Sequence, residues 1–394
     1  MKKIALGIGI ALILLLTAIW VYLMFFSTTN GEGGTFGLFN FGDTTDTSVP
    51  ISDVPLVTDD EPVVDVYSPE SLRQLTTRPT IGHQEVFLTP SSTPIIYFTE
   101  AGTGHIYTID TFSGEEERLS NITVPVASNA AISTNGMYAA IQSGEGTNSE
   151  VTLVTLPTAS TSLKSSSLPD LTDNFSFTSE GTLLYSVKST SETVAKQYDF
   201  TTQTTEILFT IPFREAVIVW GGERTSNHLV YPKATRRLQG FLYEANRSSF
   251  NRTPISGYGL SAVGSDEYII YSKQESGVYQ TYLYSRTEDR HTRLDDSFIP
   301  EKCVFDVAVD GLMHAVCANS TYGSNMPDEW LMGRASTEDK IYSVNIRSGA
   351  TSLAVDTMTE SGRELDVVNL VSINNGFIFK NRLDNTLWMY DTQN

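Results

Sequence analysis

A sequence repeat that recurs from about residue 70 to the C-terminus limits the folds open to this chain. Its clearest copy begins at Ile106 and ends at Leu119: alternating apolar residues, a turn at Ser113 and Gly114, and then charged residues. Glycines typical of hairpin turns, each preceded by a polar residue, recur in phase with this repeat at Gly136, Gly181, Gly311 and Gly376. Self-similarity at a fixed period, here about 44 residues, is typical of propellers and solenoids.

Within each repeat the alternation of apolar and polar residues predicts four short strands joined by turns. The first unit is predicted at residues 85–88, 95–98, 106–109 and 116–119. The fourth unit is predicted to end near Thr253 and the fifth to begin near Tyr258. Continued to the C-terminus, the pattern predicts an all-β protein, a seven-bladed β-propeller.

The two ends of the repeat region complement each other. The last unit stops after its third strand, near residues 387–390, whereas residues 71–75 precede the first unit without a local partner. Leu75, Leu119 and Leu163 lie at one common spacing, so Leu75 has the phase of a fourth strand. We predict that a strand at residues 71–76 completes the last blade, because such closure removes exposed sheet edges.

One turn carries a family resemblance. Residues 133–140, Ser-Thr-Asn-Gly-Met-Tyr-Ala-Ala, resemble the Ser-Pro-Asp-Gly turn and following strand of TolB-like and WD40-like propeller repeats. Residues 178–185 and 308–316 are looser copies, but the Pro and the Gly-His and Trp-Asp dipeptides of WD40 blades are missing. The resemblance covers most of residues 80–394 and implies a scaffold or binding module without assigning a ligand, since fold does not imply function.

The N-terminus predicts a membrane anchor. The uncharged run begins at Ile4, ends at Phe26 and follows Lys2 and Lys3. A helix over residues 4–26 spans the ~30 Å hydrocarbon core at ~1.5 Å per residue. Because the next basic residue is Arg73, the positive-inside rule predicts a single-pass protein of the cytoplasmic membrane, with its N-terminus inside and its propeller outside. This layout resembles that of bacterial surface proteins.

Residues 27–70 contain acidic but no basic side chains and are rich in Gly, Thr and Pro. Such a composition buries too little apolar surface to fold, which predicts a flexible acidic linker. Phe36, Phe39 and Phe41 are either a docking motif or residues that rest at the membrane interface. The predicted domains are the cytoplasmic stub and transmembrane helix at 1–26, the linker at 27–70 and the propeller at 71–394.

Charge narrows the class of partner. The chain has 26 basic and 46 acidic residues, a formal net charge of -20. That balance opposes the phosphate neutralisation on which nucleic-acid binding depends, so no nucleic acid is expected. The acidic surface suits either solubility or the attraction of divalent cations and basic partners.

Cys303 and Cys317 are the only cysteines, and they flank a hairpin centred on Asp310. Residues whose numbers are symmetric about that centre lie opposite each other, with β-carbons ~4.5–5.5 Å apart, close to the range of a disulfide. Outside the cytoplasm such a bond persists, which predicts a disulfide. The alternative is a pair of buried free thiols.

No motif predicts catalysis, a metal or a cofactor. The five histidines have no metal-ligand spacing, and residues 259–264 miss the Gly-x-Ser-x-Gly pattern by one position. We therefore assign no catalytic residue, no metal site and no cofactor. Acidic residues are plentiful, however, so glycosidase or lyase chemistry by paired carboxylates stays open.

The candidate binding site is an insertion of about 16 residues between the second and third strands of the sixth blade, because loops carry function more often than strands do. It contains the aromatic, Met and Arg types that anchor interfaces. The alternative is a short helix with Pro327 in its first turn and Trp330 directed inward, where it plugs the propeller channel or braces a blade. The candidate residues within 318–339 are Tyr322, Met326, Asp328, Glu329, Trp330 and Arg334.

Together these patterns predict a membrane-anchored extracytoplasmic propeller that binds or scaffolds protein or envelope components. The alternative function is a polysaccharide-active enzyme with carboxylates at the mouth of the propeller channel.

Overall fold

The computed structural model describes most of residues 71–391, with gaps at 88–94, 145–148, 158–161, 169, 171, 173, 222–226, 308–312, 320–324 and 374–375. The chain divides after Asp65 into two units, and the first lies outside the described residues. So do the predicted membrane helix at 4–26 and the linker at 27–70. Within the described part, no helix has the length and apolarity needed to cross a membrane.

The described part consists of short antiparallel strands that follow one another through successive sheets. The first strand, β1 (Leu72–Gln74), pairs only with the end of the chain. The first sheet contains β2 (Thr80–Val86), β3 (Ile95–Glu100), β4 (Ile106–Ile109) and β5 (Glu116–Arg118). The second contains β6 (Ala127–Ile132), β7 (Tyr138–Ser143), β8 (Glu150–Thr155) and β9 (Lys164–Ser167).

The third sheet contains β10 (Phe175–Phe177), β11 (Leu183–Lys188), β12 (Thr193–Asp199) and β13 (Thr204–Ile211). The next is a continuous seven-stranded sheet. Its strands are β14 (Ala216–Val219), β15 (His228–Pro232), β16 (Gln239–Ala245), β17 (Phe250–Gly264), β18 (Tyr268–Glu275), β19 (Val278–Ser285) and β20 (Arg290–Arg293).

The last two sheets carry the described helices. A 3-10 helix (Pro300–Lys302) leads into β21 (Cys303–Val307), which is followed by β22 (Met313–Asn319), α1 (Asp328–Leu331), β23 (Lys340–Val344) and β24 (Thr351–Asp356). The final sheet follows α2 (Thr357–Ser361) and contains β25 (Val367–Ile373), β26 (Gly376–Asn381) and β27 (Leu387–Asp391), with β1 at its outer edge.

The core lies between neighbouring sheets. Apolar side chains of the first sheet, such as Val86 and Ile106, form one buried cluster with Ile141 and Val154 of the second. Because side chains alternate across a strand, each sheet offers an apolar face to both neighbours. The all-β class is therefore confirmed, and sheets of this kind in this order match the predicted propeller.

The predicted closure is confirmed. β1 pairs antiparallel with β27, with Leu72 opposite Tyr390 and Gln74 opposite Trp388. Leu72 is buried, at 1% exposure, in a cluster with Val316 of β22 and Phe379 of β26. Strands from the two ends of the described chain thus complete one sheet.

Two predicted boundaries were wrong. The first strand of the first unit was predicted at residues 85–88 but occupies Thr80–Val86. The predicted break between Thr253 and Tyr258 does not exist, because β17 runs unbroken from Phe250 to Gly264 and joins two groups of strands. The strand is irregular near this position: the register between β17 and β18 shifts between Tyr258 and Ser261, around Gly259 at φ 63°.

Candidate functional site

The site lies where the longest connection in the described part crosses one edge of the sheets. In a sheet whose strands run up and down in order, the connection between the second and third strands and the connection that leaves the fourth strand lie at the same edge. We call the described residues of these connections in the last three sheets the loop face: 75–79, 233–238, 276–277, 294–302, 325–339, 357–366 and 382–386.

The insertion between β22 and β23 contains α1, which begins directly after Pro327. Three contacts hold it against a neighbouring loop and the end of β18. The Asp328 carboxylate accepts hydrogen bonds from Thr235 Oγ1 and from the Arg236 backbone N–H, both at 2.8 Å. The Gln274 side-chain amide donates to the Met326 carbonyl oxygen at 2.6 Å. The insertion is thus fastened to one other connection of the loop face and to the end of β18.

Trp330 points inward. Its side chain is only 6% exposed and packs with Tyr279, Ile299 and Met326. Its indole N–H donates to the Asp366 carboxylate, with Nε1 at 3.1 Å from Oδ1. This burial favours the alternative that the sequence left open, a short helix whose tryptophan braces the blades.

A buried ion cluster lies beneath Trp330. Lys302 Nζ is 2.5 Å from Asp339 Oδ2 and 2.7 Å from Asp366 Oδ1, and all three side chains are inaccessible to solvent. Thr337 Oγ1 donates to Asp366 Oδ1 at 2.9 Å. Removing one partner from such a cluster leaves an uncompensated buried charge. The cluster therefore fixes the C-terminal end of the insertion to the sheets.

The carboxylates of this cluster differ in their surroundings. Burial raises the pKa of Asp339, and the attraction of Lys302 opposes that rise. Asp339 Oδ2 also accepts from the Val367 N–H at 2.7 Å, whereas its Oδ1 is buried without a hydrogen-bond partner. Lys302 and the Val367 N–H therefore hold the Asp339 carboxylate through Oδ2 alone.

The remaining candidate residues lie in different environments. Glu329 accepts a hydrogen bond from Asn325 Nδ2 at 2.8 Å and belongs to the insertion's own framework. Arg334 is exposed, as is Met332, at 54%. Tyr322 lies outside the described residues. The structure thus brings Asp328, Trp330 and Met326 together as supports and leaves Arg334 at the surface.

Two open cavities border the insertion. The first, which we call the polar cavity, has a volume of about 590 Å³ and is lined by Asp296, Asn319, Ser336, Thr337, Glu338, Lys340 and Tyr342. The second has a volume of about 570 Å³ and is lined by Arg236, Tyr258, Gln274, Ser276 and Gly277. Volumes of this size are typical of small-ligand and side-chain pockets.

A further carboxylate, Glu301, lies in the 3-10 helix that leads into β21. Tyr231 donates its hydroxyl to Glu301 Oε1 at 3.3 Å. The Glu301 side chain is accessible to solvent yet surrounded by protein, and this surrounding raises the pKa of its carboxyl group. A carboxyl group of this kind holds a proton to higher pH than an ordinary surface glutamate does.

The two cysteines lie opposite each other, as predicted from the hairpin. β21 and β22 pair Cys303 with Cys317, and the two sulfur atoms are 2.10 Å apart, a bonding distance. Both side chains are buried in one cluster with Phe298 and Val344.

The described histidines do not form a metal site. Among the described residues, no group of three or more His, Cys, Asp or Glu side chains is placed to hold a metal ion. His228, for example, accepts a hydrogen bond at Nδ1 from the Gly221 N–H at 2.9 Å and stacks on Phe209. Its role in the described structure is packing.

Comparison with solved structures decides the fold. The chain is similar to the β-propeller domain of the Trilobed protease from Pyrococcus furiosus, with 12% identity, a TM-score of 0.51 and coverage of 80% of this chain and 95% of that domain. The fold is that of a β-propeller. The Pyrococcus domain has an open velcro topology, whereas here β1 and β27 pair in the last sheet.

The chain is also similar to the acylaminoacyl peptidase of Pyrococcus horikoshii, with 11% identity, a TM-score of 0.51 and coverage of 80% of this chain. It spans 51% of the length of that peptidase. No protein-family model and no curated protein matches the sequence.

The ion cluster was missed by sequence reasoning because its members are far apart in the chain. A local signal was nevertheless present. Lys302, Asp339 and Asp366 each stand one residue before a strand, at β21, β23 and β25. These strands all start at the loop face, so charged residues directly before them meet at one edge.

Proposed function

We propose that this protein is a binding or scaffold module that uses its loop face to hold a protein or envelope component. In this proposal residues 4–26 anchor it in the cytoplasmic membrane, residues 27–70 act as a spacer, and a seven-bladed propeller from residue 71 onward faces outward. Seven blades follow when β17 counts twice, as the outer strand of one blade and the inner strand of the next.

The observation that carries the proposal is the insertion. It is the longest connection in the described part, and hydrogen bonds from one other loop and from the end of β18, together with a buried ion cluster, hold it in place. A connection held so firmly presents a preorganised surface, which reduces the entropy lost on binding. Exposed Met332 and Arg334 and the half-exposed Tyr258 supply the residue types enriched at interfaces.

Affinity capture tests this proposal. Purified full-length protein is incubated with envelope extracts, and captured molecules are compared between the native chain and a Met332→Glu, Arg334→Glu variant. Both side chains are exposed, so the fold is preserved. A Phe112→Glu variant is the matched control, because Phe112 is 79% exposed in a hairpin at the other edge of its sheet.

The proposal expects one captured species to be lost from the loop-face variant and retained by the Phe112 variant. Equal capture by all three chains, or loss only with Phe112→Glu, contradicts it.

A polysaccharide-active enzyme is the second candidate, because Asp296 and Glu338 line the same cavity. Paired carboxylates serve as acid and base or nucleophile in most glycoside hydrolases. The candidate requires release of reducing sugar from envelope polysaccharide by the native chain, and its loss in both Asp296→Asn and Glu338→Gln. Without such release from any envelope fraction, this candidate is rejected.

A further inference from the structure

We propose that the polar cavity receives a guanidinium group, the head of an arginine side chain that the binding partner presents. This inference deepens the proposed binding function and rests on it. It goes beyond that function by naming the chemistry that the cavity recognises.

The cavity offers hydrogen-bond acceptors that the protein leaves unused. The side-chain oxygen of Asn319 is buried and has no hydrogen-bond partner among the described residues. Glu338 is exposed and makes no hydrogen bond to the described residues. Asp296 accepts from Thr351 Oγ1 through Oδ2. A buried acceptor without a partner costs free energy, which a donor on the ligand recovers.

Two donors of the cavity already have partners. Lys340 Nζ donates to Asp356 Oδ2 at 2.5 Å, and Thr337 Oγ1 donates to Asp366 Oδ1 at 2.9 Å. A sugar hydroxyl both donates and accepts, so it needs free donors as well as acceptors, whereas a guanidinium group carries five N–H donors and no acceptor. The carboxylates of Asp296 and Glu338 and the buried oxygen of Asn319 therefore suit a ligand that only donates.

Charge points the same way. Asp296, Glu338 and Asp356 bring three negative charges to the cavity and its rim, against the one positive charge of Lys340. The whole chain has a net charge of -20. Such a field raises the local concentration of cations and disfavours anionic ligands.

Tyr342 completes the cavity with an aromatic wall. Its ring makes an edge contact with Phe298, at 5.9 Å between centroids, which fixes its orientation. Burial and the nearby charge of Asp296 raise the pKa of Tyr342, so its phenol stays neutral. A planar guanidinium stacks on such a ring and binds a carboxylate through two parallel hydrogen bonds, which a lysine ammonium does not do.

The test measures binding of three short labelled peptides to the purified full-length protein. The peptides are identical except for one central residue: arginine, lysine or citrulline, the neutral analogue with the same shape. Glu338→Gln removes one acceptor charge from the cavity. Glu115→Gln removes the same charge from an exposed position in the first sheet and is the matched control.

We expect the arginine peptide to bind, the lysine peptide to bind more weakly and the citrulline peptide to show no binding. Glu338→Gln should weaken the arginine peptide by about tenfold, the usual effect of losing one charge-assisted hydrogen bond, and Glu115→Gln should leave it unchanged. Free arginine as competitor distinguishes the sources: a side-chain site binds the peptide more tightly than the free amino acid, whereas equal affinity indicates a free guanidinium compound.

Equal binding of the arginine and citrulline peptides, or equal effects of the two glutamate substitutions, overturns the inference. Displacement of the arginine peptide by a neutral oligosaccharide also overturns it and favours a sugar site. A partner captured from envelope extracts equally by the native chain and Glu338→Gln leaves the proposed function standing while this inference fails. Arginine-specific peptide binding without any captured macromolecule would support this inference and contradict the proposed function.

Discussion

Trp330 shows why a residue type alone does not reveal its role. An aromatic side chain in a long loop suits an interface anchor and an internal brace equally well, since burial in either environment stabilises it. The structure separates the two through partners that are distant in sequence. The indole N–H meets Asp366, and the ring faces the charged groups of Lys302 and Arg382 at 5.0 and 4.6 Å.

We predict that Trp330→Ala lowers the free energy of unfolding by about 3–5 kcal/mol, the usual cost of truncating a large buried aromatic residue. Met332→Ala, in the same segment but exposed, should change it by less than about 0.5 kcal/mol. Chemical denaturation of the full-length variants measures both. Similar values for the two substitutions would show that Trp330 does not brace the fold.

His228 gives the fold a dependence on pH. Burial lowers the pKa of His228 to about 4 from its ordinary 6.5, and its Nδ1 accepts a hydrogen bond. Between these values the unfolded chain binds a proton that the folded chain does not. The free energy of unfolding therefore falls as pH drops from 6.5 to 4, by about 3 kcal/mol at most from this residue.

His228→Gln should flatten the curve of unfolding free energy against pH within that window, because glutamine does not titrate. Urea denaturation of both chains from pH 6.5 to 4 provides the measurement. Parallel curves for the native chain and the variant would rule out this contribution.

At the scale of elements, the sequence predicted what is periodic and local. The predicted residues 106–109 coincide with β4, and the pairing of Cys303 with Cys317 followed from the symmetry of one hairpin. The continuity of β17 was not predictable in this way. Gly257 and Gly259 are turn signals in most contexts, and only pairing with β16 and β18 on either side keeps this segment extended.

The cysteine pair yields a prediction for the sheet that contains β21 and β22. We expect both thiols of the full-length protein to resist alkylation until a reductant is added. The bond closes a loop with a sequence separation of 14, so replacing both cysteines by alanine should lower the free energy of unfolding by about 3 kcal/mol. Reductant should not affect that double variant. Alkylation of both cysteines without reductant would establish free thiols instead.

At the scale of the whole molecule, repetition made the architecture predictable and the site largely unpredictable. The sequence repeat predicted the sheets. The missing fourth strand of the last unit and the unpaired segment before the first unit predicted the closure by β1. The insertion departs from the repeat, so the sequence showed where it lies but not which of its side chains turn inward. That choice depends on Lys302, Asp339 and Asp366, which meet only when the last two sheets pack against each other.

The measurement that tests the central claim most directly is site-specific photocrosslinking of the full-length protein in its native envelope. A photoreactive amino acid replaces Met332 on the loop face in one chain and Phe112 at the opposite edge in another, two exposed positions that the fold tolerates equally. If the loop face binds the partner, position 332 gives a discrete crosslinked product and position 112 gives none. A product from position 112 alone, or from neither position, would contradict a binding function of the loop face.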